Sequence, residues 1–184
     1  MERFVIEALF IMGYARDAVH RIKFRFSREL ASKNTALPEY FGENSNHGWG
    51  GWITIIAGKY IAGITPKVSG FNRFSIIPQP GDLTKRNTVL PTIKGKIRLE
   101  LQVKSGKTVM KVLVPQGTTA SIGIPYRNEN MGPKGYSSIE VNDTIMWNNM
   151  NNISKLSNIE FVEDNKRHIM FNVSAGEWIF TARI

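Results

Sequence analysis

The chain has 184 residues, 42% of them apolar and 21% charged, a balance that excludes intrinsic disorder and fits a globular protein. With no cysteine it has no disulfide, thiol nucleophile or thiolate metal site, and its three histidines (His20, His47 and His168) lack metal-ligand spacing, so neither metal nor cofactor is expected. The net charge of +9 invites a nucleic-acid reading, but the basic residues are spread from Arg21 to Arg167 without interleaved aromatics, and no nucleic-acid partner is expected.

The N-terminal stretch MERFVIEALFIMGYA reads as an amphipathic helix. Glu7 interrupts its apolar core and no clean cleavage site follows, so it is not read as a signal peptide. No apolar run approaches the roughly 20 residues of a membrane span, and no membrane partner is expected. Phe4, Ile6, Leu9 and Phe10 form the first helical stripe, which Gly13 breaks. Val19, Ile22, Phe26 and Leu30 form a second, with Asp17 or a neighbour as its cap. A third helix is predicted from Trp52 to about Ala62, stopped by Gly63 with Pro66 just beyond.

Past residue 70 the apolar period changes from three or four to two. FSIIP, KIRLELQV, TVMKVLV, ASIGIP, SIEV, TIMW, IEFVED, RHIMFNV and EWIFTARI read as short strands. Turn signals separate several of them, at Ser105-Gly106, Gln116-Gly117, Asn142-Asp143, Asp164-Asn165 and Ala175-Gly176. The fold class expected is α + β: a short helical segment over 1–65, then an antiparallel β-sandwich over 66–184, with Ile64 to Gly70 as the linker. Three helices alone make a poor domain, and their apolar faces call for partners. A homodimer through exposed helical faces is therefore expected.

The segment ALPEYFGENSNHGWGGW (residues 36–52) holds the densest set of chemically able groups. Pro38 pushes Leu37 towards extended backbone and leaves Glu39 on a loop. There a carboxylate is either solvated or, on a rigid scaffold, functional, and Glu43 is its rival. His47 either hydrogen-bonds the backbone or meets a ligand hydroxyl. Trp49 and Trp52 have the faces to stack on a sugar ring, although Trp52, three and four residues from Ile55 and Ile56, suits helix packing. His20 amid helix charges, His168 at a strand start, and Trp147 and Trp178 among the strands all read as structural.

Several stretches, in order, resemble the C-terminal part of bacterial alpha-L-rhamnosidases, glycoside hydrolase family 78. ALFIMGYARDAVHRI is similar to a late helix pair of that family's barrel, TALPEYF to its Thr-x-x-Trp-Glu stretch, and NHGWGGW to its Asn-His-Gly-Trp stretch. YIAGITPKVSGFNRFSIIPQPGDL resembles the exit from the barrel into the C-terminal sandwich, and VLVPQGTTASIGIP a strand pair within it. The resemblance implies an inverting hydrolase of terminal alpha-L-rhamnosides on an (α/α)6, or six-hairpin, barrel flanked by β-sandwiches. An inverting glycosidase pairs an acid with a carboxylate base about 6.5–9.5 Å away. By this resemblance Glu39 is the base, His47 and Trp49 contact the sugar, and the partner is a rhamnose-containing carbohydrate. Pro38 stands where the family has Trp. The family's acid lies in an Asp-rich segment upstream that these 184 residues do not contain, so the chain alone is expected to be inactive.

Overall fold

A computed structural model describes residues 2–31, 37, 48–126, 135–148 and 156–184. Helices α1 (Glu2–Met12) and α2 (Ala15–Ala31) are joined by a tight reversal. At Gly13, φ is +90°, and the Gly13 and Tyr14 amides donate to the Phe10 and Leu9 carbonyls at 3.1 and 2.8 Å. This pair of bonds satisfies carbonyls that the helix end leaves open, and the left-handed backbone explains the glycine. Since α2 begins at Ala15, Asp17 lies inside its first turn rather than at the cap, where a carboxylate still favours the helix N-terminus.

The third helical segment is less regular than its periodicity predicts. A 3₁₀ turn over Gly48–Gly51 leads into α3 (Trp52–Ile56), which continues as a π-helix through Ala57–Ile61. Ile6, Phe10, Ala18, Val19, Ile56 and Tyr60 make the helical core, with Phe10 and Tyr60 stacked at 5.1 Å. Phe4, expected on the buried stripe, is 63% exposed, because the turn geometry of α1 puts it on the side opposite Ile6 and Phe10. Among the described residues these are the α-helices, and a six-hairpin barrel is not present in this chain.

Beyond the helices, the described residues form one mixed, mostly antiparallel sheet of nine strands: β1 (Ile64–Pro66), β2 (Arg73–Ile76), β3 (Lys85–Thr92), β4 (Gly95–Lys104), β5 (Lys107–Pro125), β6 (Ser138–Val141), β7 (Thr144–Asn148), β8 (Ile159–Asp164) and β9 (His168–Arg183). The main path runs β1-β2-β5-β9-β6-β7, with β4 and β3 branching from β5 and β8 from β9. Four sequence expectations change here. The expected linker supplies β1, paired with β2, because Ile64 finds a place in the sheet core. Strand β3 was not predicted, since Asn87 and Pro91 weaken its strand signature. The turns expected at Gln116-Gly117 and Ala175-Gly176 do not reverse the chain. They bend β5 and β9, whose ladder shifts register between Val114 and Thr119. Finally, β2 runs parallel to β5, so the sheet is not purely antiparallel.

The ladder shift divides the long β5–β9 pair into two halves. One half carries β4 and β6, and the other carries β2 and β8. Alternate side chains from both halves, among them Phe74, Ile76, Leu99, Met110, Phe171 and Phe180, join one core. The Asn142-Asp143 turn behaves as expected: both residues have positive φ, the conformation of a two-residue hairpin loop whose twist matches the strands.

The helices meet the sheet along residues 77–83. Asp82 receives Lys23 Nζ at 2.9 Å and His20 Nε2 at 3.0 Å, while Leu83 packs into the helical core. His168 is buried and bonds the Pro78 carbonyl through Nε2 at 2.9 Å. Burial holds its pKa below the usual histidine range, so the ring is neutral and Nε2 is the donor.

Candidate functional site

Glu39, Glu43 and His47 lie outside the described residues, as does the side chain of Trp49, whose backbone forms part of the 3₁₀ turn Gly48–Gly51. The elements flanking that segment are described. Phe26 of α2 and Trp52 of α3 meet edge-on at 5.5 Å, which ties together the two helices that bracket residues 32–47. Trp52 thus packs in the helical core, as its spacing predicted.

Charges around these helices are largely paired. Arg21 makes a bidentate contact with Glu2, both bonds at 2.8 Å, and Arg25 reaches the same carboxylate at 2.9 Å. The hydrogen bond from Arg21 is the main reason Glu2 titrates below the ordinary carboxylate range. Glu7 accepts from Lys59 Nζ and the Tyr60 hydroxyl, each at 2.8 Å, and its pKa is lowered first by the Lys59 bond and then by that of Tyr60. These cations already have carboxylate partners, which weakens any reading of the net charge as a nucleic-acid track.

One basic group is different. Arg86 of β3 is 9% exposed and donates from Nη1 to the Ile61 carbonyl at the end of the π-helix. Among the described residues its Nε and Nη2 have no hydrogen-bond partner. Desolvation pushes its pKa down to about 10, so it remains charged at neutral pH.

A cleft of about 620 Å³ lies on the outer face of the half-sheet formed by β1, β2, β5, β9 and β8. Its floor follows from strand alternation. Phe74, Ala120, Ile122 and Val173 turn into the core, so their neighbours in sequence turn outward. The registers Thr65↔Ser75, Ser75↔Ser121, Ser121↔Asn172 and Glu160↔Asn172 align one polar residue from each of five strands in a single rung. A second rung follows from Arg73↔Thr119 and Thr119↔Ser174, with Lys67 beside Arg73. Sequence reading missed this face. The alternation in RFSI, TTASIGIP and MFNVSA signals it, but which strands lie side by side is not written in that signal. Among the described residues lining the cleft, Glu160 supplies the carboxylate.

Residues 63–137 match the family described as the bacterial alpha-L-rhamnosidase C-terminal domain. Over 124 residues the chain is 28% identical to an alpha-L-rhamnosidase of Formosa agariphila, covering 67% of this chain and 12% of that protein. Among solved structures, the alpha-L-rhamnosidase of Dictyoglumus thermophilum matches 100% of this chain with a TM-score of 0.79 and 21% identity, over 20% of its own length. That of Streptomyces avermitilis, solved with L-rhamnose, matches 74% of this chain at a TM-score of 0.55 and 24% identity, over 11% of its length. At these identities the two structures establish a shared fold. The fold is therefore one that both of these alpha-L-rhamnosidases contain as a part. More particularly, the chain is similar to the C-terminal part of bacterial alpha-L-rhamnosidases, as its sequence stretches implied, and it spans a minor share of each relative's length.

Proposed function

We propose that this chain is the C-terminal portion of an alpha-L-rhamnosidase-like glycoside hydrolase. In this reading residues 1–65 are the last helices of an (α/α)6 barrel and 66–184 are its β-sandwich. The observation that carries it is that the likeness to one such enzyme runs through the helices as well as the sheet. In the intact enzyme Glu39 takes the proton of the attacking water, while His47 and Trp49 hold the rhamnosyl unit. The acid that protonates the leaving oxygen comes from the upstream barrel. A base without its acid and most of its pocket leaves the isolated chain without turnover, since each general acid or base supplies roughly 10²–10⁴-fold.

The test has two arms. The chain alone should not hydrolyse an aryl alpha-L-rhamnoside, and its fusion to the upstream barrel of a related enzyme should. In the fusion, Glu39→Gln keeps the size of the side chain but cannot accept the proton, so activity should vanish and return in part with azide. Near-full activity of that variant would move the base to Glu43 or remove it from this segment. Turnover by the chain alone would overturn the reading. A second reading, a non-catalytic carbohydrate-binding module built on the sheet, draws support from the polar cleft.

A further inference from the structure

We infer that the cleft on the outer face of β1, β2, β5, β9 and β8 is a binding site for an acidic oligosaccharide, one bearing a carboxylate or sulfate at one end and free hydroxyls along its length. This deepens the reading of the sheet as a carbohydrate-binding module and does not depend on Glu39.

The hydrogen bonds within the cleft have a direction. Lys67 Nζ donates to Ser121 Oγ at 3.0 Å, and Ser121 Oγ donates to Asn172 Oδ1 at 2.8 Å. The relay takes one acceptor site on Ser121 and one on Asn172, while the amide N–H groups of Asn172 and the remaining N–H groups of Lys67 have no partner among the described residues. Arg73, alongside, has no side-chain partner among the described residues, so its full fork of donors is available. The unpartnered donors of Asn172 and Lys67 suit a ligand that carries acceptors, and a guanidinium beside an ammonium selects one that is anionic.

The charge is also polarised along the rungs. Lys67 and Arg73 stand at the β1–β2 end, and Glu160 stands at the β8 end. Three strand spacings separate β2 from β8, about 14 Å at the usual distance between strands. A lone sulfate or phosphate would occupy only the cationic end. A nucleic-acid strand would bring its next phosphates towards Glu160 and find no aromatic face among the exposed lining side chains on which to stack. A short acidic saccharide meets all three requirements: its anion at Lys67 and Arg73, ring oxygens and hydroxyls over Thr119, Asn172 and Ser174, and a hydroxyl donating to Glu160. The volume of about 620 Å³ falls within the range of small-molecule sites.

The test is calorimetric titration of the full chain with trigalacturonate, its trimethyl ester and inorganic sulfate. The ester keeps the hydroxyls without the charge, and sulfate keeps the charge without the hydroxyls. Trigalacturonate should bind, with the ester and sulfate each at least about tenfold weaker. Arg73→Gln should cost about tenfold or more and Asn172→Ala about fivefold, while Lys85→Gln on the distant β3 should change affinity less than twofold. All three positions are exposed, and an unchanged amide spectrum would verify the fold of each variant. A sulfate-bearing trisaccharide titrated in parallel distinguishes the two anions, the tighter ligand naming the group that Lys67 and Arg73 hold. Equal affinity for the ester would overturn the acidic specificity while leaving a neutral-saccharide module. Absence of binding at millimolar ligand, sulfate binding as tightly as the saccharide, or affinity indifferent to Arg73→Gln would overturn the site. So would an oligonucleotide of equal charge binding as well through the same residues.

Discussion

Gly63 lies directly beneath the Ile77 carbonyl: a Cβ placed on Gly63 would sit 2.0 Å from that oxygen. The Ile77 amide donates back to the Gly63 carbonyl at 3.0 Å, and Gly63 itself has φ +69°. This close backbone pair is where the π-helix ends and β1 begins, so it fixes how the helices leave the sheet. Gly63→Ala adds left-handed strain to a clash with main-chain atoms that no rotamer relieves. We expect it to cost about 3 kcal/mol or more, read as a lowered denaturant midpoint. A loss below about 1 kcal/mol would mean that the junction relaxes freely.

His168 gives the chain a dependence on mild acid. Its folded pKa is depressed by burial, with Arg167 nearby adding to the shift, while the unfolded ring titrates near 6.5. The unfolded state therefore binds the proton first as pH falls. Stability is fully present above about pH 6.5 and declines below it, towards the folded value. Unfolding free energies at pH 7.5 and 5.5 should differ in the parent and converge in His168→Gln. An unchanged slope in that variant would move the effect to another group.

Arg86 should prove dispensable for stability. Its single bond to the Ile61 carbonyl is set against the desolvation of a guanidinium with two unpartnered nitrogens. A hydrogen bond from a charged group contributes about 1.5–3 kcal/mol, and burying an ion costs several. Arg86→Met, which keeps the stem and removes the charge, should leave stability within about 1 kcal/mol of the parent or raise it. A loss beyond about 3 kcal/mol would show that the helix-end contact dominates.

The exposed side of α1 should drive self-association of the isolated chain. Phe4, Val5, Ile11 and Met12 are exposed while Ile6 and Phe10 are buried, so the helix is apolar on two sides. Such a helix is covered on both sides in larger folds. Light scattering should report a dimer or larger species, and Ile11→Lys combined with Phe4→Glu should shift it towards monomer. A parent that is monomeric at high concentration would end this expectation.

What the sequence determined by itself was local. The change of apolar period separated helices from strands, Gly13 and Gly63 marked helix ends, and Asn142-Asp143 specified a hairpin, because each depends on backbone preferences within a few residues. The likeness to the rhamnosidase C-terminal region was also legible there, in the order of short stretches, and Glu39, His47 and Trp49 rest on that resemblance. Only the tertiary structure decided which strands are neighbours. Nothing local in Arg73 or Thr119 announces a parallel pairing across more than forty residues, nor that Ala175-Gly176 bends a strand instead of reversing it. A strand's own residues set which face is polar, whereas its edges can pair with any compatible partner, and that choice falls to the shared core of Phe74, Leu99 and Phe171. The two polar rungs of the cleft exist only because that choice aligned them.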